Sequence, residues 1–73
     1  MNKEYKLPEV LKDLMTERKL CQRKLADDIN VTQSAVHRWL FFEATPDVFH
    51  IIELANYFGI SVDYLLFGEQ EDK

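Results

Sequence analysis

Two short amphipathic segments, joined by a brief turn that opens on a residue suited to a left-handed backbone, constrain this chain more than anything else in it. In Gln22-Arg23-Lys24-Leu25-Ala26-Asp27-Asp28-Ile29-Asn30-Val31-Thr32-Gln33-Ser34-Ala35-Val36-His37-Arg38-Trp39-Leu40, Leu25, Ala26 and Ile29 follow a helical period. Asn30 then interrupts, and asparagine tolerates the left-handed conformation just past a helix end better than other residues with a Cβ. Thr32 can cap a second segment by accepting from a free N–H of its first turn. Ala35, Val36, Trp39 and Leu40 resume the period. The stretch predicts helix, tight turn, helix, over Gln22 to Ile29 and Gln33 to Leu40. Ala26 is small where the two helices must cross closely. Leu25, Ile29, Val31, Val36 and Trp39 point into one shared core. Gln33, Ser34, His37 and Arg38, spaced i, i+1, i+4 and i+5, then stand on the outer face.

The flanks read as three more helices and no strand. Leu7-Pro8 opens the first, because a proline in the first turn gives up an N–H that has no helical partner there. Val10, Leu11, Leu14 and Met15 form its buried stripe. Phe41-Phe42-Glu43-Ala44-Thr45-Pro46 is the one long connection. Asp47 can cap a fourth helix, Val48 to Phe58, with Ile51, Ile52, Leu54, Ala55 and Phe58 as its apolar face and Gly59 as its stop. Ser61 caps a fifth, Val62 to Phe67. There Asp63 suits the positive end of the helix dipole and Gly68 ends the run. Residues 69–73 form a polar tail, and no internal repeat occurs.

Length and composition set the class. A chain of 73 residues is one domain near the lower end of what folds alone, burying roughly 60% of its unfolded surface. With 2 Gly and 2 Pro it has few breakers, which favours helices. The single Cys excludes an intrachain disulfide. No run of about 20 apolar residues and no apolar leader occur, so a cytoplasmic location is expected. An enzyme is not expected, because so short a chain rarely encloses a catalytic cavity of about 300 Å³. Neither metal nor other cofactor is expected: His37 and His50 have no ligand spacing around them. Asp27 and Asp28 read as solvated charges.

The net charge of −4 is unevenly spread. Residues 1–45 carry eight basic and seven acidic residues, whereas residues 46–73 carry one basic and six acidic. Between Arg18 and Arg38 five basic residues face two acidic ones, a local +3. That stretch is either a solvated helical surface or an electropositive face on an acidic molecule.

The central stretch resembles the helix-turn-helix of the lambda-repressor-like family, also called Cro/repressor or Xre. The likeness runs from about Leu7 to Gly68. Ile51 to Leu66 is similar to that family's fourth and fifth helices. The resemblance implies an all-α, compact five-helix DNA-binding domain over residues 1–68. It also implies a sequence-specific transcriptional regulator, of phage or prophage repressor type. Such a protein binds double-stranded operator DNA of two-fold symmetry as a homodimer, through its third helix. Gln33, Ser34, His37 and Arg38 match base-contacting positions. Glutamine has the donor and acceptor to pair with adenine N6 and N7 in the major groove. Gln22 matches a position that holds a phosphate and braces the recognition helix. Arg23, Lys24 and Thr32 are candidates for backbone contact, with the choice between Arg23 and Lys24 open. No membrane or small-molecule substrate is implied.

Four features depart from the family. Cys21 stands at the cap of the second helix, where sulfur is a poor acceptor. Asn30 replaces a usual glycine. The net acidity predicts weak non-specific DNA binding. Phe41-Phe42 stands where relatives carry charged residues and glycine, with three alternatives: core filling beside Trp39, a dimer or partner contact, or DNA contact. Dimer or partner contacts are expected at Phe41, Phe42, Tyr64, Leu65 and Phe67. The acidic C-terminal third and the Phe pair also fit a second class, a protein-interaction module of antitoxin or antirepressor type.

Overall fold

The computed structural model describes residues 4–68, so the expected tail at 69–73 lies outside the described residues. Five helices follow in order: α1 (Leu7–Glu17), α2 (Gln22–Ile29), α3 (Gln33–Leu40), α4 (Val48–Phe58) and α5 (Val62–Phe67). α2 packs closely on α3. α1 lies against α3 and α5, and α4 lies against α5 and α2. Leu7, Leu11, Leu25, Val36, Leu54 and Leu65 are wholly inaccessible, one or more from every helix, so a single core joins all five. The chain ends of the bundle meet where the Lys6 N–H donates to the Leu66 carbonyl at 2.6 Å.

The helix starts follow local chemistry. Thr32, Asp47 and Ser61 accept at about 3 Å from the backbone N–H of Ala35, His50 and Tyr64. Cys21 makes no such bond. The ends share one device. The Leu20, Val31 and Ile60 N–H groups donate back to Met15, Ala26 and Ala55, closing a turn around left-handed Lys19, Asn30 and Gly59. The Glu43 N–H does the same with the Arg38 carbonyl at the end of α3. There the left-handed residue is Phe42, at φ 61°. A bulky side chain in that conformation costs on the order of 1–2 kcal/mol.

Two long-range ties fasten α4. Arg18 donates from Nη2 to the Phe58 carbonyl at 2.9 Å, and its guanidinium lies 4.9 Å over the Phe58 ring. A cation therefore sits on the negative C-terminal end of α4. The Tyr57 hydroxyl donates to Asp28 Oδ2 on α2 at 2.6 Å, while Lys24 Nζ lies 3.2 Å from Asp28 Oδ1. Asp28 is exposed, as expected of a solvated charge, but it is also paired with both side chains. The Tyr57 hydroxyl, more than Lys24, holds its carboxyl below 3.8, and the same bond raises Tyr57 above 10.0. At the other end of α4, His50 Nδ1 lies 3.0 Å from Asp47 Oδ1, and its ring packs 5.7 Å from Trp39.

Three expectations are corrected. Of the alternatives for the Phe pair, core filling does not occur: Phe41 (54% exposed) lies against His37 on the outer face of α3, and Phe42 (61%) stands in the left-handed turn beyond it. Ile52, expected inward, is 45% exposed, since α4 turns only the arc of Ile51, Leu54, Ala55 and Phe58 toward its neighbours. Leu65, expected at a dimer contact, is wholly buried in the core, whereas Tyr64 and Phe67, expected beside it, keep part of their surface exposed.

Two outcomes follow from this arrangement. Phe42→Gly relieves the backbone while removing a mostly exposed ring, so its unfolding free energy stays within about 1 kcal/mol of the parent, whereas Leu65→Ala loses about 2–5 kcal/mol. Urea titration measures both, and a Phe42→Gly loss as large as that of Leu65→Ala would make Phe42 a core residue. The Tyr57–Asp28 bond needs an ionised carboxylate and a protonated phenol. Its contribution therefore fades as pH falls below 3.8 and as pH rises above 10.0. Tyr57→Phe should be less stable near neutrality and should lose less further stability at both extremes. Parallel acid and alkaline limbs in parent and variant would contradict this.

Candidate nucleic-acid interface

Successive helical residues are about 100° apart, so α3 sorts its side chains by angle. Val36 and Trp39 are buried, with Ala35 and Leu40 at the margins. Gln33, Ser34, His37 and Arg38 are all exposed and fall in one arc of about 140° on the opposite side. The face is partly organised before any ligand arrives. Arg38 Nη2 donates to Ser34 Oγ at 3.2 Å, and the His37 ring lies against Phe41, one turn further along, with centroids 4.5 Å apart and planes tilted by 37°. Thr32 spends an acceptor on its cap and keeps its O–H to donate.

The same angular argument separates Arg23 from Lys24. Arg23 turns to one flank of α2 and lines a groove with Gln22, Gln33, Leu40 and Phe41. Lys24 turns to the other flank, where it pairs with Asp28 against α4. The far wall of the groove is made by Lys12 and Thr16 of α1 and by Lys19 in the turn that follows it. Cys21 stands exposed at its edge.

Of the basic cluster read from the sequence, Arg18 is engaged with α4 and Lys24 with Asp28. Lys19 and Arg23 line the groove, and Arg38 lies on the outer face of α3. Lys12 joins them and was not expected. No spacing signal announced it: Lys12 lies on α1 while Lys19 stands in the left-handed turn after that helix, and only the folded turn brings both to one groove. Three side chains escaped the reading altogether: Val48 (60% exposed), Phe49 (73%) and Asn56, which with Ile52 make an uncharged arc along α4. Among the described residues no three His, Cys, Asp or Glu side chains gather as a metal would need. No described helix is long and apolar enough to cross a membrane.

A helix-turn-helix family matches residues 11–65. The chain is 34% identical over 65 residues to the HTH-type transcriptional regulator YqaE of Bacillus subtilis, covering 89% of this chain and 56% of YqaE. It is 32% identical over 60 residues to the SPbeta prophage-derived regulator YonR of the same organism, covering 82% of this chain and 56% of YonR. To the transcriptional activator BcrR of Enterococcus faecalis it is 29% identical over 62 residues, covering 85% and 30%. The chain thus spans about half or less of the length of these relatives. A crystal structure of a transcriptional regulator from Listeria innocua superposes with a TM-score of 0.84 at 30% identity, covering 96% of this chain and 64% of that one. The five-helix fold, the geometry of α2 and α3 and the family match over residues 11–65 agree: the chain belongs to the helix-turn-helix family of the Cro/repressor type.

Proposed function

We propose that this chain is a sequence-specific DNA-binding transcriptional regulator that lays α3 in the major groove. The observation that carries the reading is the single exposed arc of Gln33, Ser34, His37 and Arg38, backed by a rigid core edge and flanked by the basic groove. Gln33 pairs with a base edge, adenine N6 and N7 being its natural match. Gln22, Arg23 and Thr32 hold the phosphate backbone, joined by Lys12 and Lys19 across the groove. Lys24 contributes less, because Asp28 already neutralises it. No chemical step is needed: occupancy of promoter DNA represses, as in a prophage-type regulator, in the cytoplasm.

The protein acts as a homodimer on a two-fold operator, with the two recognition helices about 34 Å apart. Exposed apolar side chains supply the contact, and the uncharged α4 arc offers more of them than the half-buried Tyr64 and Phe67. Three such side chains, the largest filling on the order of 200 Å², fall short of the roughly 800 Å² per partner of a standard interface. Pairing is therefore weak in solution and completed on DNA. The same arc is what favours a second reading, a protein-interaction module that docks a partner on α4.

Two measurements test this. On a duplex selected from a random library, Gln33→Ala should lose about 1–3 kcal/mol of discrimination. Arg23→Ala should weaken selected and scrambled duplexes alike, and more than Lys24→Ala does. Equal loss on both duplexes for Gln33→Ala would remove its reading role. Sedimentation should show a monomer at low micromolar concentration and two protomers on the selected duplex. One protomer per duplex, or binding indifferent to salt, would favour the module reading.

A further inference from the structure

Phe41 is not in the core, and although it also borders the groove assigned to the phosphate backbone, its ring has no donor to offer a phosphate. It is 54% exposed, and its N–H still donates to the His37 carbonyl at 3.2 Å, so it continues the path of α3. Its ring lies against His37, in the middle of the arc that holds Gln33, Ser34 and Arg38. From Gln33 to Phe41 the helix rises about 12 Å, comparable with the width of the major groove. A protein partner seated on this ring would cover the side chains that face DNA, so Phe41 cannot serve both. Its neighbour Phe42 is left-handed, the backbone state that lets the chain turn away after Phe41 and leaves that ring at the end of the face.

We propose that Phe41 is a specificity-determining residue whose ring, supported by His37, reads the C5 methyl group of a thymine in the major groove. The chemistry is apolar contact: the methyl is the one hydrophobic mark on a major-groove base edge. The inference rests on the DNA-reading function proposed above.

The test replaces thymine by uracil, one position at a time, in a duplex selected by the parent protein. This removes the methyl and leaves every base hydrogen bond in place. At one thymine per half-site the parent should lose about fourfold in affinity, the factor matching one buried methyl-sized group. Phe41→Ala should be indifferent to that replacement while keeping its preference at the position read by Gln33. Phe41→Leu, still apolar, should keep the penalty. Parent indifference to uracil at every position, or an undiminished penalty in Phe41→Ala, overturns the proposal for Phe41 alone. Failure of the library to yield any preferred duplex overturns the DNA-reading function and this inference with it. Unchanged helical circular dichroism in both variants excludes unfolding as the cause.

Discussion

What α3 can present outward depends on how its inner edge is held. Val36 and Trp39 are gripped by the core, and the turn at Asn30 sets the approach of α2, with Ala26 almost wholly buried nearby. The left-handed Asn30 lets the Val31 N–H return to Ala26, so the link between the helices is a closed hydrogen-bonded turn and not a loose loop. Thr32 then starts α3 in a fixed register. With both ends set, helical geometry decides the rest: four polar side chains share one arc, with no apolar residue between them until Phe41.

Charge is partitioned by the same scaffold. An acidic molecule can meet a polyanion only if its cations are sorted. Arg18 and Lys24, though exposed, are engaged by the protein itself, on the end of α4 and on Asp28. Lys12, Lys19 and Arg23 are left around the groove beside Gln33. The acidic C-terminal third includes Asp47, Glu53 and Asp63 on or beside α4 and α5, neither of which contributes to the groove lining. This arrangement disfavours indiscriminate binding and makes affinity depend on a few contacts in register.

Much of this was legible because the determining chemistry is local. Caps at Thr32, Asp47 and Ser61 and stops at Asn30, Gly59 and Gly68 involve residues within one turn of each other, and each took the form its residue type dictates. The outer face of α3 follows from period alone. What escaped needed the neighbours of a helix. Arg23 and Lys24 are adjacent in sequence, yet the positions of α1 and α4 send one to the groove and the other to Asp28. The Tyr57–Asp28 bond joins residues 29 apart, with no spacing signal to announce it. On α4 the apolar run is wider than the core it meets, so Ile52 and Phe49 stay outside while the sequence pattern made Ile52 part of the inner face. At Phe42 an aromatic occupies a backbone state that ordinarily selects glycine; the glycine that relatives carry in this stretch hinted at it, whereas the side chain present did not.

The central claim is that the outer arc of α3, with the basic groove beside it, is the surface that meets DNA. Amide chemical-shift mapping with a selected duplex tests it most directly. The account predicts the largest changes along Gln33 to Phe41 and at Lys19, Gln22 and Arg23, with α4 from Val48 to Asn56 affected only as protomers pair. Changes centred on α4 with α3 unmoved would contradict it.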